Sequence, residues 1–288
     1  MGVLILYSIG IMQGRLTKSE GRGIQFFPFE NWENEFKIAS EIGLNEIEFI
    51  LDEYEIEKNP LFSENGIKKI INLINEYNVK VNSVCFDYFM RKPFFKVENL
   101  EDRELNKKEN FEILKKTLEA SKKIGIRLIE IPLVDESSIK NKIEEDLFKD
   151  FMKEILSIRE FEMISFALET DLPCQEFQEY ISSFKTDRLK ANYDSGNSSG
   201  LGYNHYEEIM TLNQNVANVH IKDKIFKGQT VNLGSGDVDF DGMFQALKNI
   251  KYKGSFILQV ARGKDGDEIK TILSQIEFVK KYIDKYLG

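Results

Sequence analysis

Short, apolar, β-branched runs alternate with amphipathic stretches along the whole chain, and this alternation constrains the fold more than any other feature. Each strand-like run precedes a stretch in which apolar residues recur at helical spacing. Eight strand-then-helix units predict a single α/β domain over residues 1–288, a (β/α)8 barrel. The predicted strands lie near residues 4–12, 46–51, 79–87, 126–132, 163–169, 188–194, 216–222 and 254–261, and the predicted helices near 30–42, 64–77, 105–123, 138–157, 173–184, 204–213, 239–249 and 267–286.

An open, doubly wound sheet is the main rival architecture, and the sequence does not favour it. The segment after the first predicted strand, Ile-Gly-Ile-Met-Gln-Gly-Arg at 9–15, lacks the glycine-rich fingerprint of a dinucleotide-binding turn. Ser63 and Asp239 are plausible helix caps, and both precede predicted helices. Two long loops, 13–29 and 88–104, follow predicted strands, so a barrel would place them at the end where substrates bind.

Composition limits the classes of partner. The formal net charge is -9, which argues against nucleic acid and anionic membranes as partners, whereas a small anionic substrate stays open. Cys85 and Cys174 are the only cysteines, and we expect two reduced thiols. The start of the chain, residues 3–9, is typical of a strand rather than a signal peptide. Together these features predict a cytoplasmic protein.

Three predicted strands in the second half of the chain end in side chains that bind metals. Glu169 follows Phe-Ala-Leu, Asp194 follows Ala-Asn-Tyr, and His220 follows Ala-Asn-Val. Successive parallel strands would deliver two carboxylates and an imidazole to the same end of a barrel. This set predicts a site for one divalent ion, with Mn²⁺, Mg²⁺, Co²⁺ and Zn²⁺ as candidates. For His220 alone, a hydrogen-bonded core histidine is the alternative.

Several motifs resemble those of the sugar isomerase/epimerase superfamily of xylose-isomerase-like TIM barrels. Asn-Tyr-Asp-Ser-Gly-Asn at 192–197 looks like that family's Asp-Thr-Gly-(His/Asn) strand end, and His-Ile-Lys-Asp at 220–223 is similar to its His-x-Lys-Asp segment. Leu-Gly-Ser-Gly-Asp-Val-Asp-Phe at 233–240 resembles its glycine loop. Gln-Gly-Arg-Leu at 13–16, with Phe-Pro-Phe at 27–29 ahead of a tryptophan, resembles a branch of sugar-phosphate isomerases and epimerases.

The resemblance implies that Glu169, Asp194 and His220 are metal ligands and that Gln259 takes the fourth position, where the family has a glutamate. An amide oxygen can bind a metal, but an amide is no base near neutral pH. Asn197 stands where many members carry a substrate-contacting histidine; an asparagine can bond a sugar hydroxyl but cannot titrate.

The expected chemistry removes a proton next to a metal-bound carbonyl and passes through an enediolate. Epimerisation usually needs two bases, whereas aldose–ketose isomerisation needs one. Glu169 is the predicted base, and with Gln259 in place of the second carboxylate the single-base reaction survives. Glu130, at the end of the fourth predicted strand, is either a substitute base or a structural carboxylate paired with a cation.

Other polar residues are candidate substrate contacts. Arg15, Lys222 and Arg262 could bind a phosphate or sugar oxygens, and Lys222 is also a predicted catalytic residue; solvated loop charges are the alternative for the two arginines. The motifs add Gln13 and Asp223. Aromatic residues could wall the pocket or simply pack the loops; these are Phe27, Phe29, Trp32, Phe94 and Phe95.

These features predict a metal-dependent isomerase or epimerase of a small sugar or sugar phosphate. A barrel that binds a sugar without turnover is a second hypothesis, because Gln259 and Asn197 depart from the family pattern. A polyol dehydratase is a third. An endonuclease of abasic DNA is the least favoured, because its zinc cluster needs more than the two histidines present. The expected partner is a small sugar, with no nucleic acid and no membrane, and homo-oligomer formation is left open.

Overall fold

A closed barrel of parallel strands forms the centre of the molecule in the computed structural model, which describes residues 7–288. In chain order the strands are β1 (Ile9–Met12), β2 (Glu46–Ile50), β3 (Ser83–Cys85), β4 (Leu128–Leu133), β5 (Ser165–Thr170), β6 (Leu189–Asp194), β7 (Val216–Ile221), β8 (Asp223–Lys224), β9 (Thr230–Val231) and β10 (Phe256–Leu258). The barrel order is β1-β10-β7-β6-β5-β4-β3-β2, and β8 and β9 form a separate antiparallel hairpin.

Helices follow the barrel strands, as the sequence pattern predicts. They are α1 (Trp32–Glu41), α2 (Glu64–Tyr77), α3 (Tyr88–Arg91), α4 (Leu100–Ile124), α5 (Lys142–Leu156), α6 (Cys174–Ser182), α7 (Ser195–Leu201), α8 (His205–Leu212), α9 (Phe240–Asn249) and α10 (Glu268–Tyr286). The predicted (β/α)8 barrel is therefore confirmed. Of the first predicted strand, residues 4–6 lie outside the described residues.

The two predicted helix caps are present. The Ser63 side chain accepts a hydrogen bond from the Gly66 amide at the start of α2, and Asp239 accepts one from the Gly242 amide at the start of α9. The sequence pattern missed the short helices α3 and α7 and the hairpin β8–β9. These elements are too short for periodicity to distinguish them from loops.

The predicted aromatic residues pack into the core. Phe94 and Phe95 are buried and contact Phe89 and Phe151, which closes the loop between β3 and α4 against α5. Phe27 packs against Trp32 and Phe49 in the same way between β2 and α1. Of the two alternatives for these aromatic residues, walls of the pocket or packing of the loops, the structure shows packing of the loops.

Both cysteines are buried and unpaired, in agreement with the expected reduced thiols. Within residues 7–288, no helix combines the length and the apolar composition that crossing a bilayer requires.

Candidate active site

The three predicted metal ligands converge at the carboxyl end of the barrel. Asp194 and His220 are paired residues of β6 and β7, and Glu169 lies near the end of β5, the other neighbour of β6. One ligand atom from each side chain lies within 4.8 Å of the others, and all three side chains are buried. The Nδ1 atom of His220 lies 3.2 Å from Glu169 Oε2 and 3.9 Å from Asp194 Oδ2. Adjacent parallel strands thus bring together residues that are far apart in the sequence.

Glu48 orients His220 from the barrel interior, and the sequence analysis did not identify it. Its Oε1 atom lies 2.6 Å from His220 Nε2, while Oε2 accepts hydrogen bonds from Ser83 at 2.5 Å and Asn218 at 3.0 Å. A ligating histidine commonly donates its second N–H to a carboxylate in this way. Glu46 and Glu48 alternate within the apolar strand β2, and this pattern of charges could have revealed them.

The carboxylates around His220 also set its charge. Burial favours the neutral imidazole, but the charges of Glu48 and Glu169 outweigh burial and raise the pKa of His220 well above its usual range. The surrounding carboxylates therefore favour a positive charge at this position. A divalent cation bound at the imidazole would supply that positive charge.

Two asparagines hold the carboxylate of Glu169. Asn197 donates from Nδ2 to Glu169 Oε1 at 2.5 Å, and Asn192 donates to Oε2 at 2.7 Å. The backbone N–H of Asn197 also donates to Asp194 Oδ1 at 2.8 Å, so that the Asp194 side chain caps the N-terminus of helix α7. One short segment therefore positions both carboxylates, and Asn197 contacts the predicted base directly.

Lys222 and Gln259 complete this side of the site. The ammonium of Lys222 lies 2.9 Å from Gln259 Oε1 and 3.2 Å from Asp194 Oδ2. Burial favours the neutral amine, but the charges of Asp194 and Glu169 outweigh burial and raise the pKa of Lys222. Lys222 is therefore a cation and a hydrogen-bond donor here, and Gln259 brings an amide oxygen next to the ligand cluster.

Gln13, Arg15 and Arg262 form hydrogen bonds mainly with the backbone, while Gln13 Nε2 has no partner among residues 7–288 and Arg15 Nη2 lies 3.5 Å from Gln25 Oε1. Arg15 Nε donates to the Val260 carbonyl at 3.0 Å, and Arg262 donates to the Gly14 and Thr17 carbonyls. Gln13 Oε1 accepts from the Ile50 amide at 3.1 Å. These side chains fasten the loop after β1 to the ends of β2 and β10, and the predicted substrate contacts remain predictions. The two arginines are not solvated loop charges: Arg15 is buried and Arg262 is half-buried.

The hydrogen bonds of Asp223 also go to the backbone. Its buried carboxylate accepts hydrogen bonds from the Gly234 and Gly236 amides at 2.8 and 2.9 Å and from the Val238 amide at 3.2 Å. A side chain at position 236 would clash with this carboxylate, because an added Cβ would lie 2.2 Å from Asp223 Oδ1. Asp223 therefore organises the glycine loop, and its contact with substrate stays a prediction.

Glu130 faces the barrel interior below Glu169. It is fully buried, and among residues 7–288 the Cys85 thiol, a weak donor, is the one hydrogen-bonding group beside its carboxyl oxygens. Burial and the negative charge of Glu169 raise the pKa of Glu130 well above its usual range. Within residues 7–288 no lysine or arginine, the cation that the structural alternative required, forms an ion pair with Glu130, and the role of Glu130 as a substitute base remains a prediction.

The donor set fits a divalent ion. Two carboxylates and an imidazole nitrogen, with an amide oxygen beside them, form the mixed oxygen and nitrogen set that Mn²⁺, Co²⁺ and Zn²⁺ accept and that Mg²⁺ tolerates. The orienting carboxylate behind His220 is the second feature expected of such a site.

Comparison with known proteins places these features in a family. A family model described as xylose isomerase-like TIM barrel matches residues 36–282. The chain is 25% identical to a putative L-ribulose-5-phosphate 3-epimerase of Haemophilus influenzae, covering 88% of this chain and 92% of that protein. It is 24% identical to the L-ribulose-5-phosphate 3-epimerase of Escherichia coli, covering 89% and 91%. A solved L-ribulose 3-epimerase superimposes with a TM-score of 0.74 at 14% identity, over 98% of this chain and 96% of the other. This chain belongs to the xylose isomerase-like TIM barrel family.

Proposed function

We propose that this protein is a divalent-metal-dependent epimerase of a small ketose or ketose phosphate. The convergence of Glu169, Asp194 and His220 within 4.8 Å at the mouth of the barrel carries the proposal. The relatives are named as 3-epimerases of L-ribulose 5-phosphate, and they align over most of this chain. Similarity over this length supports the same class of reaction.

Glu169, Asp194 and His220 would hold the ion, with Gln259 as a fourth ligand. When bound, the ion supplies positive charge that polarises the carbonyl and the neighbouring hydroxyl of the sugar. Next to the proposed ion site, the charged ammonium of Lys222 lies between the Asp194 carboxylate and the Gln259 amide oxygen.

Glu169 is the proposed base. It would remove the proton from the carbon next to the carbonyl, leaving an enediolate. Asn192 and Asn197 fix both oxygens of its carboxylate, so little reorientation is needed when the substrate binds. The ammonium of Lys222 would donate a hydrogen bond to the oxygen on which negative charge develops.

Aldose–ketose isomerisation is the second candidate, and Gln259 is the observation that favours it. An amide cannot return a proton to the opposite face of the sugar. We do not assign the role of the missing carboxylate to Glu130, because it lies on β4, directly beside the strand that carries Glu169, and it is fully buried. In epimerisation, water or another group would therefore supply the proton on the second face.

Glu169→Gln tests the proposal. In protein loaded with Mn²⁺ and given L-ribulose or its 5-phosphate, we expect this change to lower kcat by about 100-fold or more, the scale of a lost general base. The matched control is Glu277→Gln, at an exposed position on α10. Product analysis by NMR in D₂O separates an epimer from an aldose. Undiminished turnover by Glu169→Gln would show that another group is the base.

A further inference from the structure

The mouth of the barrel has a second polar group of side chains opposite the ligand cluster. Gln25, in the loop between β1 and α1, donates from Nε2 to Asp87 Oδ1 at 2.9 Å and accepts from Gln259 Nε2 at 3.0 Å. Asp87 follows β3, and Gln259 follows β10, so the Gln25 amide spans the side of the mouth formed by β10, β1, β2 and β3. The ligand cluster lies on β5, β6 and β7.

The contacts of Gln25 differ in kind from those of the neighbouring arginines. Arg15 and Arg262 donate mainly to backbone carbonyls, which have fixed positions in the fold, although Arg15 Nη2 also lies 3.5 Å from Gln25 Oε1. Gln25 bonds mainly to side chains, whose rotamers can change when a ligand enters. A sugar hydroxyl is both a donor and an acceptor, so it can take the place of either partner in this bridge.

The Asp87 carboxylate accepts fewer hydrogen bonds from the protein than its two oxygens could accept. Only 5% of the residue is exposed, and Gln25 is its one side-chain donor among residues 7–288. A buried carboxylate with a single neutral donor is poorly compensated. Burial accordingly raises the pKa of Asp87 to about 6. Hydroxyl groups of a bound sugar would supply the missing donors.

We infer that Gln25 and Asp87 determine substrate specificity by binding the hydroxyl groups of the sugar that are remote from the reacting carbon. The inference rests on the proposed function, because it takes a ketose as the ligand of this site. Neither residue contacts Glu169, Asp194 or His220 by hydrogen bond within residues 7–288, and Gln25 reaches the metal site only through the amide nitrogen of Gln259. Both would act on recognition while the ligand cluster and the base act on the reaction.

The test compares L-ribulose with 5-deoxy-L-ribulose in Mn²⁺-loaded wild-type protein and in the Gln25→Asn and Asp87→Asn variants. We expect the wild-type protein to prefer L-ribulose by about tenfold or more in kcat/KM, because a site built around a hydroxyl discriminates against its absence. Each variant should raise KM for L-ribulose, leave its kcat within about twofold, and lose most of that preference.

Two controls separate this effect from a general loosening of the loop. Asp265→Asn changes an exposed residue that contacts Ser19 of the same loop at 3.3 and 3.4 Å, outside the mouth, and it should keep the wild-type preference. Mn²⁺ affinity should be the same in Asp87→Asn and Asp265→Asn as in the wild-type protein, because neither residue contacts a proposed ligand. An unchanged preference in both variants, or an equal loss of kcat for both sugars, would overturn the inference. If wild-type protein neither binds nor converts L-ribulose or its 5-phosphate, the proposed function fails first and the inference fails with it.

Discussion

His220 depends on a carboxylate that lies 172 residues earlier in the chain. Glu48 accepts from His220 Nε2 and itself accepts from two further side chains, which leaves the Nδ1 atom facing Glu169 and Asp194. Metal affinity should therefore depend on a residue that does not touch the ion. Sequence reasoning cannot find such a residue by strand-end position, because Glu48 lies inside its strand.

Replacing Glu48 by Gln tests this dependence. The variant loses the negative charge behind His220, and its amide NH₂ would face the Asn218 donor. We expect Mn²⁺ affinity to fall by about 10- to 100-fold, the usual cost of removing an orienting partner of a ligand. Isothermal titration calorimetry measures the change. Glu46→Gln is the control, since Glu46 is equally buried on the same strand but bonds Ser8 and Ser255. An equal loss of Mn²⁺ affinity in both variants would contradict the proposed role of Glu48, because it would show that any change in buried charge on β2 weakens the site.

At the scale of elements, helix α1 holds the loop that follows β1. The carboxylate of Glu35 accepts hydrogen bonds from the Gly14 and Leu16 amides, and it is almost fully buried. Gly14 has a φ of 84° and an added Cβ would lie 2.6 Å from the Phe26 carbonyl oxygen, so the turn at this point requires glycine. Burial raises the pKa of Glu35 from 4.5 to about 7, although Gly14 and Leu16 oppose the rise.

This shift predicts how stability depends on pH. Below about pH 4.5 Glu35 is protonated in both the folded and the unfolded chain, so it contributes no pH dependence. Between 4.5 and 7 the unfolded chain releases this proton while the folded chain keeps it, and folding becomes less favourable as the pH rises. Glu35→Gln should remove this loss, which amounts to at most about 3 kcal/mol.

Urea denaturation at pH 5 and pH 8 measures the difference between Glu35→Gln and the wild-type protein. The advantage of the variant should grow from pH 5 to pH 8. Glu33→Gln serves as the control, because Glu33 is an exposed residue of the same helix that pairs with Lys69. A constant difference between Glu35→Gln and wild type at the two values would show that Glu35 ionises normally.

The sequence predicted the elements better than it predicted the use of polar side chains. Apolar periodicity gave every long helix and the positions of the barrel strands, because burial dictates both patterns. Arg15 and Arg262 remain predicted substrate contacts, and the structure adds hydrogen bonds to backbone carbonyls that the sequence pattern did not predict. Which partner a buried arginine takes depends on the path of a loop, and no periodic pattern encodes that path.

At the scale of the whole molecule, closure of the barrel creates the site. The ligand residues come from β5, β6 and β7, the orienting carboxylate comes from β2, and Gln259 follows β10. The chain carries a net charge of -9, and at least four of its carboxyl groups face this one interior: Glu48, Glu130, Glu169 and Asp194. Such a concentration of buried acid is costly unless cations balance it. Lys222 and a divalent ion bound at His220 together would supply that balance.

Anomalous diffraction from a crystal grown with Mn²⁺ tests this account most directly. We predict one strong peak per chain at the mouth of the barrel, bonded by Glu169, Asp194 and His220, with the Gln259 amide oxygen as a further ligand. Absence of a peak at saturating Mn²⁺, or a peak that those three side chains do not share, would contradict the account.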